Sequence, residues 1–119
     1  MKHLAFLLFS GALIHGGIQQ IQEPHPRAER ARGSGLPIPD EVVAFSGWAM
    51  LLGSIALHIK PLRRLAAFLL GVQLIPITYV GHRFWELEQG QARTQNRTHF
   101  FKNLSIIGGA LAIAFSSED

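Results

Sequence analysis

The chain contains no cysteine. That absence removes disulfides, thiolate nucleophiles, cysteine-held iron–sulfur clusters and cysteine-type zinc sites together, so any redox chemistry must rest on a bound cofactor or a partner. Charge is scarce as well. Asp, Glu, Lys and Arg make up 16% of the 119 residues, against 48% hydrophobic, and they are unevenly spread. After Lys2 no charged residue occurs until Glu23, and further charge-free windows cover 42–59, 65–82 and 103–117. A soluble helix carries charges on one face every three or four residues. None of the four windows has such a face, which excludes an ordinary soluble domain. Also missing are a catalytic triad, a phosphate loop and a dinucleotide fingerprint.

What is present fits a bilayer. The windows hold 20, 18, 18 and 15 residues, and a hydrocarbon core needs roughly 20 predominantly apolar residues per helix, about 17 at the short end. The expected fold is all-α: one domain over 1–119, an integral membrane four-helix bundle with spans near 3–21, 41–59, 61–83 and 98–115 and both termini on one side. The start, Met1-Lys2-His3 before an apolar run, also resembles a secretory signal. However, Ile18 to Gln22 offers no small-residue cleavage site, so an uncleaved first span is expected.

The connection 22–39 carries Pro24, Pro26, Gly33, Gly35, Pro37 and Pro39. That composition favours extended and turn backbone and predicts a surface loop, with a helical turn near Arg27–Arg32 as the alternative. Asp40 and Glu41 suit the N-terminus of span two. Lys60-Pro61-Leu62-Arg63-Arg64 makes a tight basic turn into span three, which makes spans two and three an antiparallel hairpin. Pro76 removes a donor within span three, freeing the Val72 carbonyl, with Gln73 beside it. Small residues recur four apart at Ala12/Gly16, Ala49/Gly53, Ala67/Gly71 and Ser105/Gly109, spacing that lets membrane helices pack closely.

The formal charge of +3 and pI near 10.0 do not point to nucleic acid. The basic residues lie between apolar windows, where they meet lipid head groups and set topology. Membrane lipids are therefore expected partners and nucleic acid is not. Lys2, Lys60, Arg63 and Arg64 share one side, and Arg27, Arg30, Arg32, Arg83, Arg93, Arg97 and Lys102 the other. Raw count favours the second side as cytoplasmic. The density of the tight turn favours the first, placing both termini in the cytoplasm.

Two groups of polar residues stand out. His82 and Glu86 are four apart, as are His99 and Asn103, so one membrane face would gather His82, Arg83, Glu86, His99 and Asn103 into a polar mouth. Such a mouth is read in three ways: as groups that satisfy one another and two helix ends, as a site for a quinone head group, or as a zinc site. No spacing is diagnostic for metal, and none is expected. Within the spans, His15 and Gln19 are four apart and Gln73 lies mid-span. Polar residues in lipid face the bundle interior as interhelical glue or as part of a ligand path. The ligand hypothesis thus rests on His15, Gln73, His82, Arg83, Glu86, His99 and Asn103.

Ile59-Lys60-Pro61-Leu62-Arg63-Arg64-Leu65-Ala66-Ala67, the ending Gly81-His82-Arg83-Phe84-Trp85, and above all His99-Phe100-Phe101-Lys102-Asn103-Leu104-Ser105-Ile106-Ile107-Gly108-Gly109-Ala110-Leu111 together resemble the DoxX family. The likeness covers nearly the whole chain except the Arg27–Gly35 insert. It implies a four-helix membrane protein of the prokaryotic cytoplasmic membrane, and the family's name comes from a terminal-oxidase-associated, quinone-linked respiratory system. Many members carry a glutamate in the Gly-flanked part of span two. Here Gly47-Trp48-Ala49-Met50-Leu51-Leu52-Gly53 has no acidic residue.

The resulting expectation is a small subunit that binds a quinone or lipid-like ligand beside a membrane oxidoreductase partner and is not a stand-alone enzyme. No covalent cofactor is expected. The alternative is a structural subunit of a larger membrane complex. A transporter ranks below both, because no carboxylate lies inside a span and no inverted repeat is visible.

Overall fold

The computed structural model describes residues 2–33, 35–81 and 84–116. Among these the chain is helical with no strand: α1 Lys2–Gln22, α2 His25–Gly33, α3 Asp40–Ala56, α4 Lys60–Gly81, a 3₁₀ turn Phe84–Glu86, and α5 Gln91–Ala114. Four long helices match the four expected spans. The differences lie at the ends and in the first connection. α3 stops at Ala56, three residues before the expected end, and passes through a turn in which Ile59 N–H donates to the Ala56 carbonyl. α5 starts seven residues early, and in its polar first part Thr94 and Thr98 return their hydroxyls to carbonyls four residues back, so that these side chains are satisfied on the helix itself.

The expected loop after α1 is instead largely α2. Pro26 sits in its first turn, where a missing N–H costs nothing, and Ala28 and Ala31 are fully buried against α3 and α4. The helix ends in a Schellman motif. Gly35 adopts φ 89°, its N–H donates to Arg32 O, and Leu36 N–H donates to Ala31 O. Glycine is needed there because a Cβ is strained at that φ.

The long helices close into an antiparallel ring. Gly17 of α1 lies on Gly47 of α3, so close that a Cβ on Gly47 would stand 2.6 Å from the Gly17 carbonyl oxygen. Gly53 of α3 receives Leu70 of α4, Gly71 of α4 receives Ala110 of α5, and Gly109 of α5 receives Phe9 of α1. The core inside the ring is Leu13, Met50, Leu57, Ala67, Leu70 and Leu74. The outside is equally apolar: Leu8 is 74% exposed and Phe45 73%. Apolar surface on this scale has no place in water. α1 and α4 are each long and apolar enough to cross a bilayer. α3 has 17 residues, about 25 Å at 1.5 Å per residue, and α5 carries Arg93, Arg97 and Lys102 in its first half.

One end of the bundle collects the start of α1, the α3–α4 turn and the end of α5. There His3 and His58 share a hydrogen bond of 2.7 Å between their Nδ1 atoms and stack at 4.9 Å. Arg63 lies over Phe6 at 4.8 Å and donates to Leu57 O, while Arg64 donates to Ala114 O. Two guanidiniums thus cap the carboxyl ends of α3 and α5, where backbone carbonyls are orphaned and the helix dipole is negative.

Candidate ligand site

A cavity of about 200 Å³ opens at the other end, between α1, α2, α3 and α4. Its floor is apolar, formed by Val43 of α3 and Ile77 and Val80 of α4, with the exposed Val42 and Pro76 at its outer edge. Pro76 is accommodated within α4, which runs unbroken to Gly81.

Polar groups reach the cavity from four elements. Gln73 of α4 donates Nε2 to both the carbonyl and the hydroxyl of Ser46 on α3, at 2.6 Å each. It thereby ties two helices together rather than serving the carbonyl freed by Pro76. Gln20, buried at the end of α1, donates to Met50 Sδ at 3.5 Å. Among the described residues, the Oε1 atoms of these two glutamines accept no hydrogen bond. Arg27 and Arg30 of α2 complete the lining. Arg27 donates to Gln19 Oε1 at 3.3 Å, and burial, with Arg30's charge as the second cause, lowers its pKa from the ordinary value.

Gln73 is thus the expected site residue that lines the cavity. His15 is exposed on α1, away from it. Of the expected polar mouth, His82 and Arg83 lie outside the described residues. Glu86 is exposed on the 3₁₀ turn and His99 on α5, whereas Asn103 is buried and donates to Thr78 Oγ1 at 3.1 Å. Asn103 is therefore paired with a threonine inside α4. Trp85 packs edge-on to Phe100 at 5.5 Å, an aromatic pair at the level where a membrane interface is expected. Among the described residues no three His, Asp or Glu side chains come together as a metal site.

Sequence reasoning passed over Gln20, Ser46 and Thr78, and read Arg27 and Arg30 only as loop charges. The available signal was in the insert. Ala28 and Ala31 are three apart and ahead of a glycine stop, which makes α2 a helix with one small face, and Arg27 and Arg30 flank that face. A second cavity, about 300 Å³, lies at the opposite end among Lys2, Phe6, Arg63 and Arg64.

Compared with known protein families, residues 3–83 match the DoxX family. The matched stretch runs from α1 through α4 and includes every element around the first cavity, the α2 insert among them. The 99–111 segment, which carries the sequence resemblance furthest, lies beyond it. No curated protein and no solved structure matches the chain.

Proposed function

The chain belongs to the DoxX family, and from that premise we propose that it is a multi-pass protein of the cytoplasmic membrane that holds a quinone or lipid-like amphiphile in the cavity between α1, α2, α3 and α4. The single observation that carries this reading is the cavity's chemistry: an apolar floor, two glutamine carbonyl oxygens able to accept, and two guanidiniums able to donate. Few well-placed polar groups in an apolar pocket are the usual make-up of a small-molecule site. A quinone carbonyl accepts from an arginine, and the hydroxyl of a quinol or a glycerol head donates to Gln20 or Gln73. No residue here is an activated nucleophile. The protein's part is to hold and present the molecule, and a membrane oxidoreductase partner carries out the redox chemistry.

The test is organic extraction of the protein purified in mild detergent, with mass spectrometry of what it carries. The expected result is a stoichiometric amphiphile in the native protein, reduced in Val43→Trp, which fills the floor, and retained in His15→Ala. A native protein that carries none, or a Val43→Trp variant that keeps its full load, overturns the reading.

A second reading, a structural subunit of a larger complex, has its own observation. Phe45, Trp48, Leu52 and Ile55 make an exposed apolar stripe along α3, at the helical spacing of a packing face. Site-specific photocrosslinking from position 48 that traps a stoichiometric protein neighbour supports it, and crosslinks to lipid alone remove it.

A further inference from the structure

α2 brings Arg27 and Arg30, three residues apart and so on one helix face, to the rim of an apolar cavity without bringing a counter-ion. Among the described residues no carboxylate pairs with either arginine, and Glu23 and Glu41 form no ion pair at all. Glu29 pairs with Arg32 and His25, and Asp40 with His25. Arg27 touches only the neutral amide of Gln19, and Arg30 has no hydrogen bond or ion pair among the described residues. Like charges at this spacing disfavour a helix, yet buried Ala28 and Ala31 hold this one in place.

The cavity's size restricts what completes the site. At about 200 Å³ it is below the roughly 300–1,000 Å³ that encloses a whole drug-sized ligand, so it receives part of a larger molecule. Its mouth reaches the outer surface, since Val42 and Pro76 line it and are exposed themselves. A chain leaving the cavity there continues along the apolar outside of α3 and α4. A free soluble anion would leave the floor of Val43, Ile77 and Val80 without use.

On the reading that this cavity is a ligand site, we infer that Arg27 and Arg30 hold the anionic head group, a phosphate or carboxylate, of a membrane amphiphile whose hydrocarbon chain lies across Val42, Pro76 and Ile77. A guanidinium fork matches the oxygens of either anion, and the head group supplies the negative charge that the two arginines leave unmatched.

The experiment uses the full-length protein, delipidated in neutral detergent, and native mass spectrometry with four probes: dioleoylphosphatidylglycerol, dioleoylphosphatidylcholine, decylubiquinone and inorganic phosphate. One phosphatidylglycerol should bind about tenfold more tightly than phosphatidylcholine, the scale of one charge-assisted contact. The preference should vanish in Arg27→Gln/Arg30→Gln and survive in Arg93→Gln/Arg97→Gln, which removes the same charge elsewhere. Adding salt to the wild-type protein should also erode it, a readout that needs no variant to fold. Equal binding of the two lipids, or equal loss in both double variants, overturns the inference. Displacement of the lipid by millimolar phosphate overturns its amphiphile part. Decylubiquinone binding that is lost in Val43→Trp but indifferent to Arg27→Gln/Arg30→Gln keeps the cavity as a ligand site and removes the anionic head group. Failure of every probe to bind the wild-type protein removes both.

Discussion

Gly16 and Gly17 are adjacent and chemically identical, yet only one is needed for packing. A Cβ on Gly16 meets open space, whereas one on Gly17 would stand 2.8 Å from the Gly47 carbonyl oxygen. Because the obstructing atoms are backbone, neither helix yields without separating. Gly17→Ala and Gly47→Ala should each lower stability by about 1–3 kcal/mol as overpacked sites, and Gly16→Ala should raise it by roughly 0.5–1 kcal/mol through helix propensity. Thermal unfolding in detergent reads all three. Four-residue spacing in the sequence selects Ala12 and Gly16. Composition reveals that small residues are plentiful but not which of two neighbours faces inward, since that depends on where the partner helix lies. Gly71, which spacing also selects, does face its neighbour. The buried Asn103–Thr78 bond was half legible, through Asn103 alone. Asn103→Ala should cost about 0.6–2 kcal/mol, the range of interhelical hydrogen bonds in membranes. Adding Thr78→Val should cost less than its separate effect, a non-additivity that a double-mutant cycle measures.

α2 shows why the site was less legible than the spans. A membrane span announces itself by a long absence of charge, and α1, α3, α4 and the second half of α5 were all found that way. α2 is nine residues, rich in arginine and bounded by prolines, and only two alanines reveal that it docks. Its stability depends on those alanines and on the turn at Gly35. Gly35→Val, at φ 89°, should unwind the helix's end without disturbing the ring. Hydrogen exchange should then accelerate in 25–33 and stay slow in α1 and α3, and co-purified amphiphile should fall. Exchange that accelerates equally in α1 would contradict the separation of α2 from the bundle's core.

The four long helices form two hairpin-like pairs, since α1 with α3 and α4 with α5 make the most extensive contacts and α3 with α4 fewer. Their antiparallel order was readable from four windows and three polar connections, and the shared end is now concrete in the His3–His58 and Arg64–Ala114 contacts. In the orientation that the dense basic turn favours, that end is cytoplasmic. A cysteine introduced at Leu62 should therefore resist an impermeant thiol reagent applied to the outer face, and one at Thr94 should react with it. The reverse pattern would invert the orientation and leave the bundle intact.

The hairpin pairing has a consequence for the order in which the chain is made. At about 5–20 residues per second, the 36 residues from Glu23 to His58 emerge over roughly 2–7 seconds, during which α1 has no helical partner. Among the described residues, the helices both long and apolar enough to cross lipid unaided are α1 and α4, the first-made member of each pair. The shorter α3 and the more charged α5 each arrive to find a companion already waiting. Spans that must endure alone are long enough to reach across unaided, and spans that are met on arrival are free to be short, as α3 is, or to carry charge, as the first half of α5 does. In a translocation assay, segment 2–24 should insert by itself, while 40–59 should insert well only when 2–24 precedes it.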